Sequence, residues 1–264
     1  MKIGFIGCGN MGRAMINGIL QSGLVKNEEL IASAKSEETC NKIKNDLQIQ
    51  LAASNREVAQ FSDLVFLAVK PHYYAQVIAE IKDMIRPEQI VVSIAPGKTL
   101  AWLEGLFGRP VKLVRTMPNT PAMVGEGMTA YSVSVQVTPE EKEQVAGICR
   151  CFGKAEEVDE SMMDAVTSVS GSSPAYVFLF IEAMADAAVA DGMPRAQAYT
   201  FAAQAVLGSA KMVLKTGMHP GALKDMVCSP GGTTIEAVRV LEERGMRSSV
   251  IEAMKACAKK AGEM

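Results

Sequence analysis

Along the first two-thirds of the chain, short apolar runs that end in glycine or proline alternate with segments whose apolar positions recur every three or four residues. Runs of the first kind predict buried strands at Lys2–Gly7, Leu30–Ser33, Asp63–Val69, Gln89–Ile94, Val111–Arg115 and Met128–Val135. Segments of the second kind predict helices at Met11–Ser22, Ser36–Leu47, Tyr73–Ile85, Leu100–Leu106 and Pro139–Phe152. The first of these helices turns Ala14, Met15, Gly18 and Ile19 to one side. Ser36 and Thr138 read as N-caps followed by carboxylates in the first turn, which suits the positive end of a helix. Strands alternating with helices predict a doubly wound parallel sheet covered on both faces.

Near Glu160 the pattern changes. From Ser161 onward helical segments follow one another at Ser161–Val169, Pro174–Asp191, Arg195–Thr216, Ala222–Val227, Thr234–Arg244 and Ser248–Ala261. The breaks between them are Gly192-Met193-Pro194, His219-Pro220-Gly221 and Ser229-Pro230-Gly231-Gly232. The chain therefore reads as an α/β protein with an N-terminal Rossmann-type domain, 1–160, and an all-α domain, 161–264. Pro174–Ala190 is apolar nearly all round, which predicts burial in a core or between subunits.

Composition narrows the classes. Among 264 residues, 48% are hydrophobic and 21% charged, the usage of a packed soluble protein, and the length is comfortable for two domains. A net charge of −2 without a basic block argues against a nucleic-acid partner. No secretory signal is evident, and the most apolar stretch, Ala175–Ala190, is interrupted by Glu182 and Asp186 and falls short of a membrane span. The six cysteines form no CxxC pair, which predicts free thiols, a cytoplasmic location and no metal site.

Gly7-Cys8-Gly9-Asn10-Met11-Gly12 is a GxGxxG sequence between a predicted strand and a predicted helix. In that context it predicts a dinucleotide site. Gly7 makes the tight turn, Gly9 lets backbone approach a pyrophosphate, and Gly12 lets the helix pack close to the strand. The helix N-terminus offers unpaired N–H groups to the phosphates. The second strand ends Ser33-Ala34-Lys35-Ser36, without the acid that would bind an unmodified ribose. This favours NADP(H), with NAD(H) as the other admissible cofactor; Lys35 reads either as a phosphate partner or as a solvated loop lysine. Ala68-Val69-Lys70-Pro71 and Ala95-Pro96-Gly97 end two further strands in proline turns that could line the nicotinamide end.

A second glycine turn, Ser229-Pro230-Gly231-Gly232-Thr233-Thr234, precedes a helix, with Thr233 or Thr234 placed as its cap. On spacing alone it reads first as an ordinary capped helix, and otherwise as an anion site for a small carboxylate. Gly171-Ser172-Ser173-Pro174 similarly precedes the long apolar helix, and the stiff stretch Arg115–Pro121 reads either as a loop that closes over a ligand or as one that crosses between layers.

Together, Gly7–Gly12, Ala68–Pro71, Arg115-Thr116-Met117-Pro118-Asn119-Thr120-Pro121-Ala122, Ser170–Tyr176 and Leu223–Ile235 resemble the pyrroline-5-carboxylate reductase family, in the family's order and over nearly the whole chain. The resemblance implies reduction of 1-pyrroline-5-carboxylate to proline by hydride from NAD(P)H, the last step of proline biosynthesis. It implies substrate contacts at Glu160, Ser229, Gly232, Thr233 and Thr234, with Thr234 as the catalytic candidate at the ring nitrogen. On the cofactor side it implies Ile6, Gly7, Cys8, Gly9, Asn10, Met11, Ser33, Ala34, Lys35, Asn55, Ala68, Val69, Lys70, Pro71 and Ala95. It also implies a homodimer built from the helical domain, with assembly to a decamer. Ser173 stands where the family commonly has glycine.

The chemistry suits a chain with only two histidines, because a cyclic imine is already electrophilic and needs chiefly a hydride donor held in line. His72 and His219 read as structural or exposed. Two other readings share the glycine loop: a related reductase of another imine or a 3-hydroxy acid, and a non-catalytic dinucleotide sensor. A hydroxy-acid enzyme would need a lysine or histidine proton shuttle, and the helical part offers only Lys211, Lys215 and Lys224 without evident placement.

Overall fold

A computed structural model describes residues 1–263. In the order of the chain, β1 (Ile3–Ile6), α1 (Asn10–Ser22), β2 (Leu30–Ser33), α2 (Glu37–Lys42), β3 (Gln50–Leu51), α3 (Asn55–Phe61), β4 (Leu64–Leu67), α4 (Tyr74–Ile81), β5 (Ile90–Ser93), α5 (Leu100–Phe107), β6 (Lys112–Met117), β7 (Gly127–Val133), α6 (Pro139–Arg150) and β8 (Gly153–Glu157) form one eight-stranded sheet with its helices. The strands lie in the order β3-β2-β1-β4-β5-β6-β7-β8. A short helix α7 (Met163–Val166) follows, and then α8 (Ser173–Ala190), α9 (Arg195–Thr216), α10 (Pro220–Val227), α11 (Thr233–Glu243) and α12 (Met246–Gly262). The chain divides into two compact units: residues 1–172 with 257–263, and residues 173–256. By packing, the division falls after Ser172, and the end of α12 belongs with the sheet.

In the first unit every residue of β1, β2, β4 and β5 is buried, because helices cover both faces. Side chains alternate across the sheet. Ile3, Phe5 and Phe66 pack with Met15, Ile16, Ile19, Ile148 and Phe152 on one face, and Phe5 stacks on Phe66 with ring centroids 4.6 Å apart. Ile6, Val65 and Leu67 pack with Tyr74, Ile78, Leu103 and Phe107 on the other. Thr138 caps α6 in a reciprocal capping box with Glu141, and Ser36 caps α2, as their sequence positions predict.

The sheet departs from an all-parallel one at β7, which runs antiparallel to β6. Only nine residues join them, 118–126, and they include a 3-10 turn at Thr120–Val124. A parallel crossover needs a dozen residues or more, so this connection permits only a reversal. Three elements have no counterpart in the sequence reading. Strand β3 has two residues, α3 has seven, and β8 is a polar edge strand carrying Lys154, Glu156 and Glu157. Charged residues on an edge strand hide its alternation while they keep the edge from pairing further.

The second unit is helical throughout. Helices α8 and α9 are joined by residues 191–194 and meet over small side chains, with Ala185, Ala198 and Ala202 buried. Most of their large apolar side chains are not buried within the chain: Phe178 is 61% exposed, Leu179 67%, Phe201 61% and Leu214 68%. The helical run that contains α8 also begins earlier than the apolar pattern suggests. Helical turns of 3-10, α and π type continue from Glu160 to Ala190, giving 31 residues that by length and composition alone would be enough to cross a membrane. That corrects the expectation that no stretch reaches such a length, because hydropathy read along the chain stops at polar residues that the helix runs through. Ser173 opens α8 without strain: among the described residues Gln48 is the only non-glycine with a left-handed φ.

Close approach is decided at Gly18 of α1, where a Cβ would stand 2.6 Å from Phe152 Cβ and 2.8 Å from the Cys151 carbonyl oxygen. In Gly147 of α6 a Cβ would meet nothing within 4 Å. Both glycines lie inside helices, where alanine is intrinsically favoured by about 1 kcal/mol. Gly147→Ala is therefore expected to raise stability by roughly 0.5–1 kcal/mol, while Gly18→Ala loses about 1–3 kcal/mol to overpacking against backbone. Urea unfolding of the two variants checks the opposite signs.

Candidate active site

The ends of four parallel strands converge at one edge of the sheet. Chain order reverses beside β1: β2 and β3 lie to one side, and β4 is the first strand on the other. Such a reversal opens a crevice beyond the carboxyl ends of the strands, where ligands of doubly wound sheets bind. Backbone bonds tie the turns together, with Gly7 N–H donating to Ser33 O at 3.0 Å and Ala68 N–H to Ile6 O at 2.8 Å. Gly7 has φ +93°, and a Cβ there would lie 2.7 Å from the Ala68 carbonyl oxygen, so only glycine permits this approach.

Helix α1 starts directly above that turn. Its N-cap is Gly9, without a side-chain cap, and the first backbone bond within the helix is Arg13 N–H to Gly9 O at 2.9 Å. The preceding N–H groups are left to point out of the helix end, where the helix dipole adds a partial positive charge. Arg13 bonds the Asn10 side chain at 3.0 Å and adds a full charge beside the loop. Gly12 packs with its Cβ position 3.1 Å from Gly7 O. The Cys8 thiol is pushed up to about 11 by burial, partly offset by Arg13, and so stays protonated.

Gly9 is different. Its φ of −73° is open to any residue, and a Cβ would meet nothing within 4 Å. The fold gives no reason for glycine there. A small residue there leaves the uncapped helix end open, the arrangement that suits a phosphate group.

The other cofactor candidates surround the same edge. Ile6 ends β1, Ser33 ends β2 and leads to Ala34 and the exposed Lys35, and Asn55 opens α3. Ala68, Val69, Lys70 and Pro71 follow β4, and Ala95 follows β5. Lys35 Nζ lies 5.3 Å from the ring centre of Tyr73, just beyond Pro71, so it bridges two of these turns rather than standing alone. Tyr74 was missed by sequence reasoning. Its hydroxyl, wholly buried, donates to Leu67 O at 2.5 Å and accepts from Ile94 N–H at 3.2 Å. It thereby fixes the spacing of the β4 and β5 turns, and burial pushes its pKa up to about 12. An aromatic at an apolar helix position gives no hint of that hydroxyl's partners.

Arg115 is the second omission. It sits on β6 with its side chain 6% exposed and reaches Glu160 at 3.1 Å. Glu160 Oε1 also accepts Leu100 N–H at 2.7 Å, at the start of α5. The pair lines an open cleft of about 480 Å³ with Gly97, Thr99, Asp159 and Asp164. Neither histidine takes part in such a pairing: His72 is exposed and packs on Tyr73, and His219 caps α10 by accepting Gly221 N–H at Nδ1, 3.0 Å away.

In the second unit, Ser229–Thr234 forms a tight turn closed by Gly232 N–H to Ser229 O at 3.0 Å, with Gly231 at φ +68°. The structure corrects the expectation of a threonine cap. The N-cap is Gly232, no side chain caps it, and Thr233 and Thr234 are the first residues of α11. A Cβ at Gly232 would stand 2.3 Å from Ser229 Oγ, so a side chain there would require the Ser229 hydroxyl to swing away. The first-turn N–H groups of α11 and the two threonine hydroxyls are thus available together to an anion.

Comparison with known proteins agrees with both halves of the chain. Residues 160–264 match the family described as pyrroline-5-carboxylate reductase dimerisation, and residues 2–97 match that described as NADP oxidoreductase coenzyme F420-dependent. The pyrroline-5-carboxylate reductase of Escherichia coli is 56% identical over 263 residues, covering 100% of this chain and 98% of that protein. That of Methanosarcina acetivorans is 43% identical, covering 100% and 97%. Among solved structures, Plasmodium falciparum pyrroline carboxylate reductase with NADP bound superposes with a TM-score of 0.91 at 35% identity, covering 100% of this chain and 97% of that one.

The unexplained glycine gives a direct test of the loop. Gly9→Ala is expected to weaken dinucleotide binding tenfold or more while costing at most about 1 kcal/mol of stability, the difference between glycine and alanine at an N-cap. Titration of the cofactor, set beside urea unfolding of the same variant, separates the two effects.

Proposed function

The chain belongs to the pyrroline-5-carboxylate reductase family, and from that premise we propose that it reduces 1-pyrroline-5-carboxylate to L-proline with a hydride from NAD(P)H, closing proline biosynthesis. The observation that carries the reading furthest is the pairing, in one chain, of a glycine loop built for a dinucleotide with a second uncapped helix end built for a small carboxylate. A dinucleotide sensor has no use for the second.

The residues of the first unit fit the cofactor. Gly7–Met11 would receive its pyrophosphate at the N-terminus of α1, Ser33, Ala34, Lys35 and Asn55 the adenosine end, and Ala68–Pro71 with Ala95 the nicotinamide end. With no acid at the end of β2 and Lys35 beside it, NADP(H) is the preferred form and NAD(H) the other. When bound, the cofactor supplies a hydride to the imine carbon. The imine nitrogen takes a proton, and the double bond becomes the saturated ring of proline.

The residues of the second unit do the rest. Backbone N–H groups at Gly232–Thr234, with Ser229 and the threonine hydroxyls, hold the substrate carboxylate by the same physics that holds phosphates on α1. Thr234 is the catalytic residue, its hydroxyl set at the ring nitrogen as the proton reaches it. Glu160 Oε1 accepts from Arg115 and from Leu100 N–H, which fixes the carboxylate on the cleft beyond β5 and β6 and leaves Oε2 to face a substrate there.

The match to a dimerisation family and the bare apolar side chains of α8 and α9 support an oligomer. A homodimer covers those faces, and dimers assemble into a decamer in the cytoplasm, where six free thiols remain reduced. The long apolar run through α8 is accounted for by a second copy rather than by lipid.

Steady-state kinetics with pyrroline-5-carboxylate and NADPH tests the activity, with hydroxy and keto acids as controls. Thr234→Ala should raise KM for the imine and lower kcat by about tenfold or more, the loss of a hydrogen bond to a charged or polarised group, while the NADPH dissociation constant stays unchanged. Unaltered KM and kcat would reject the placement of Thr234. Separately, Leu179→Glu, which puts a charge on the apolar face, should yield monomers by light scattering where the parent chain gives dimers or larger.

A further inference from the structure

Three hydrogen bonds run from the end of β2 to α4. Ser33 Oγ donates to Asn55 Oδ1 at 2.7 Å, Asn55 Nδ2 donates to Glu80 Oε2 at 2.7 Å, and Gln76 Nε2 donates to Glu80 Oε1 at 3.1 Å. The direction of each bond follows from chemistry. A carboxylate only accepts, so the group of Asn55 that faces Glu80 is its NH2, and the group that faces Ser33 is its oxygen. The Ser33 hydroxyl must then spend its single proton on Asn55. What it has left for a ligand is lone pairs.

This matters because Ser33 and Asn55 stand where the ribose of the adenosine end would lie, a point that rests on the dinucleotide reading above. A ribose 2′-hydroxyl can donate to a Ser33 lone pair. A 2′-phosphate carries only acceptors and about two negative charges, and it needs donors. Glu80 therefore works against the phosphate twice: it locks the serine proton away from the site, and it adds a negative charge one residue behind it. Lys35, on the same rim, works in the opposite sense.

We propose that Glu80 is a specificity-positioning residue which, through Asn55 and Ser33, holds down the preference for NADPH over NADH and keeps the site open to both. In Glu80→Gln the side chain can donate to Asn55 as well as accept from it, so Asn55 is no longer locked in one orientation: once it turns over, its NH2 faces Ser33 and the serine proton is released toward the site. The same change removes the charge. Both consequences favour the phosphorylated cofactor.

The test is binding, measured on the whole protein by fluorescence titration with NADPH and with NADH in parallel. Glu80→Gln is expected to raise the ratio of the NADH to the NADPH dissociation constant roughly fivefold or more, the scale of one gained hydrogen bond, and Glu80→Ala, which also frees Asn55, should move it in the same direction. A merely structural role would weaken both cofactors together and leave the ratio unmoved. A ratio within about twofold of the parent's in both variants, or a shift toward NADH, overturns the proposal while the dinucleotide site stands. A parent chain that binds neither cofactor overturns both.

Discussion

The contact between Gly7 and the Ala68 carbonyl governs the first unit of this protein. It brings the turn after β1 and the turn after β4 within van der Waals distance, on the two sides of the point where chain order reverses. Around that contact, Gly7 N–H reaches β2 and Ala68 N–H reaches β1, so three strand ends are fixed relative to one another by backbone alone. Tyr74 then extends the set to β5 through one buried hydroxyl. The helix end above the turn is consequently presented on a rigid base. A cofactor bound there meets groups whose ordering entropy was already lost on folding, the usual source of tight and well-aligned binding.

The two helix ends repeat one device in different materials. On α1 the loop is held open by contacts with neighbouring strands, while on α11 the turn is held by its own residues, Ser229 against Gly232. Each leaves first-turn N–H groups uncapped, in a position where most helices recruit a serine, threonine or aspartate. A glycine at the cap gives up only about a few tenths of a kilocalorie per mole relative to serine or aspartate, and it leaves the N–H groups open to an anionic ligand. The strongest binding groups of this chain are therefore peptide N–H groups, which have no charge of their own to titrate. That agrees with an active-site rim almost without histidine.

Legibility in the sequence tracked local physics. Helix α6, with its capping box, and α9, bounded by Pro194 and Gly217, lie where the sequence reading puts them. The fully buried strands were readable because burial on both faces makes them uniformly apolar. The elements that were not readable lack such signals: β3 is too short to show a period, β8 is charged because it is an edge, and β7 reverses because its connection is short. The glycine loop and the Ser229–Thr234 turn could be read from spacing and context. Tyr74, Arg115 and Glu80 could not, since each acts through a partner distant in sequence, and their residue types are common at a helix face or on a strand. The cap of α11 lies one or two residues before the expected threonine, because the preceding turn closes on Gly232 N–H and the helix starts at once behind it.

The two ends of the sheet have a bearing on how the protein lives at high concentration. One edge is a strand of two residues and the other carries three charged side chains, so neither offers a template for a further strand. Association by strand addition is closed off, while α8 and α9 carry a dense set of exposed apolar side chains. Until that surface is covered, a newly made chain is a soluble sheet domain joined to a sticky pair of helices. Its chief hazard is indiscriminate capture by other apolar surfaces while it waits for a partner.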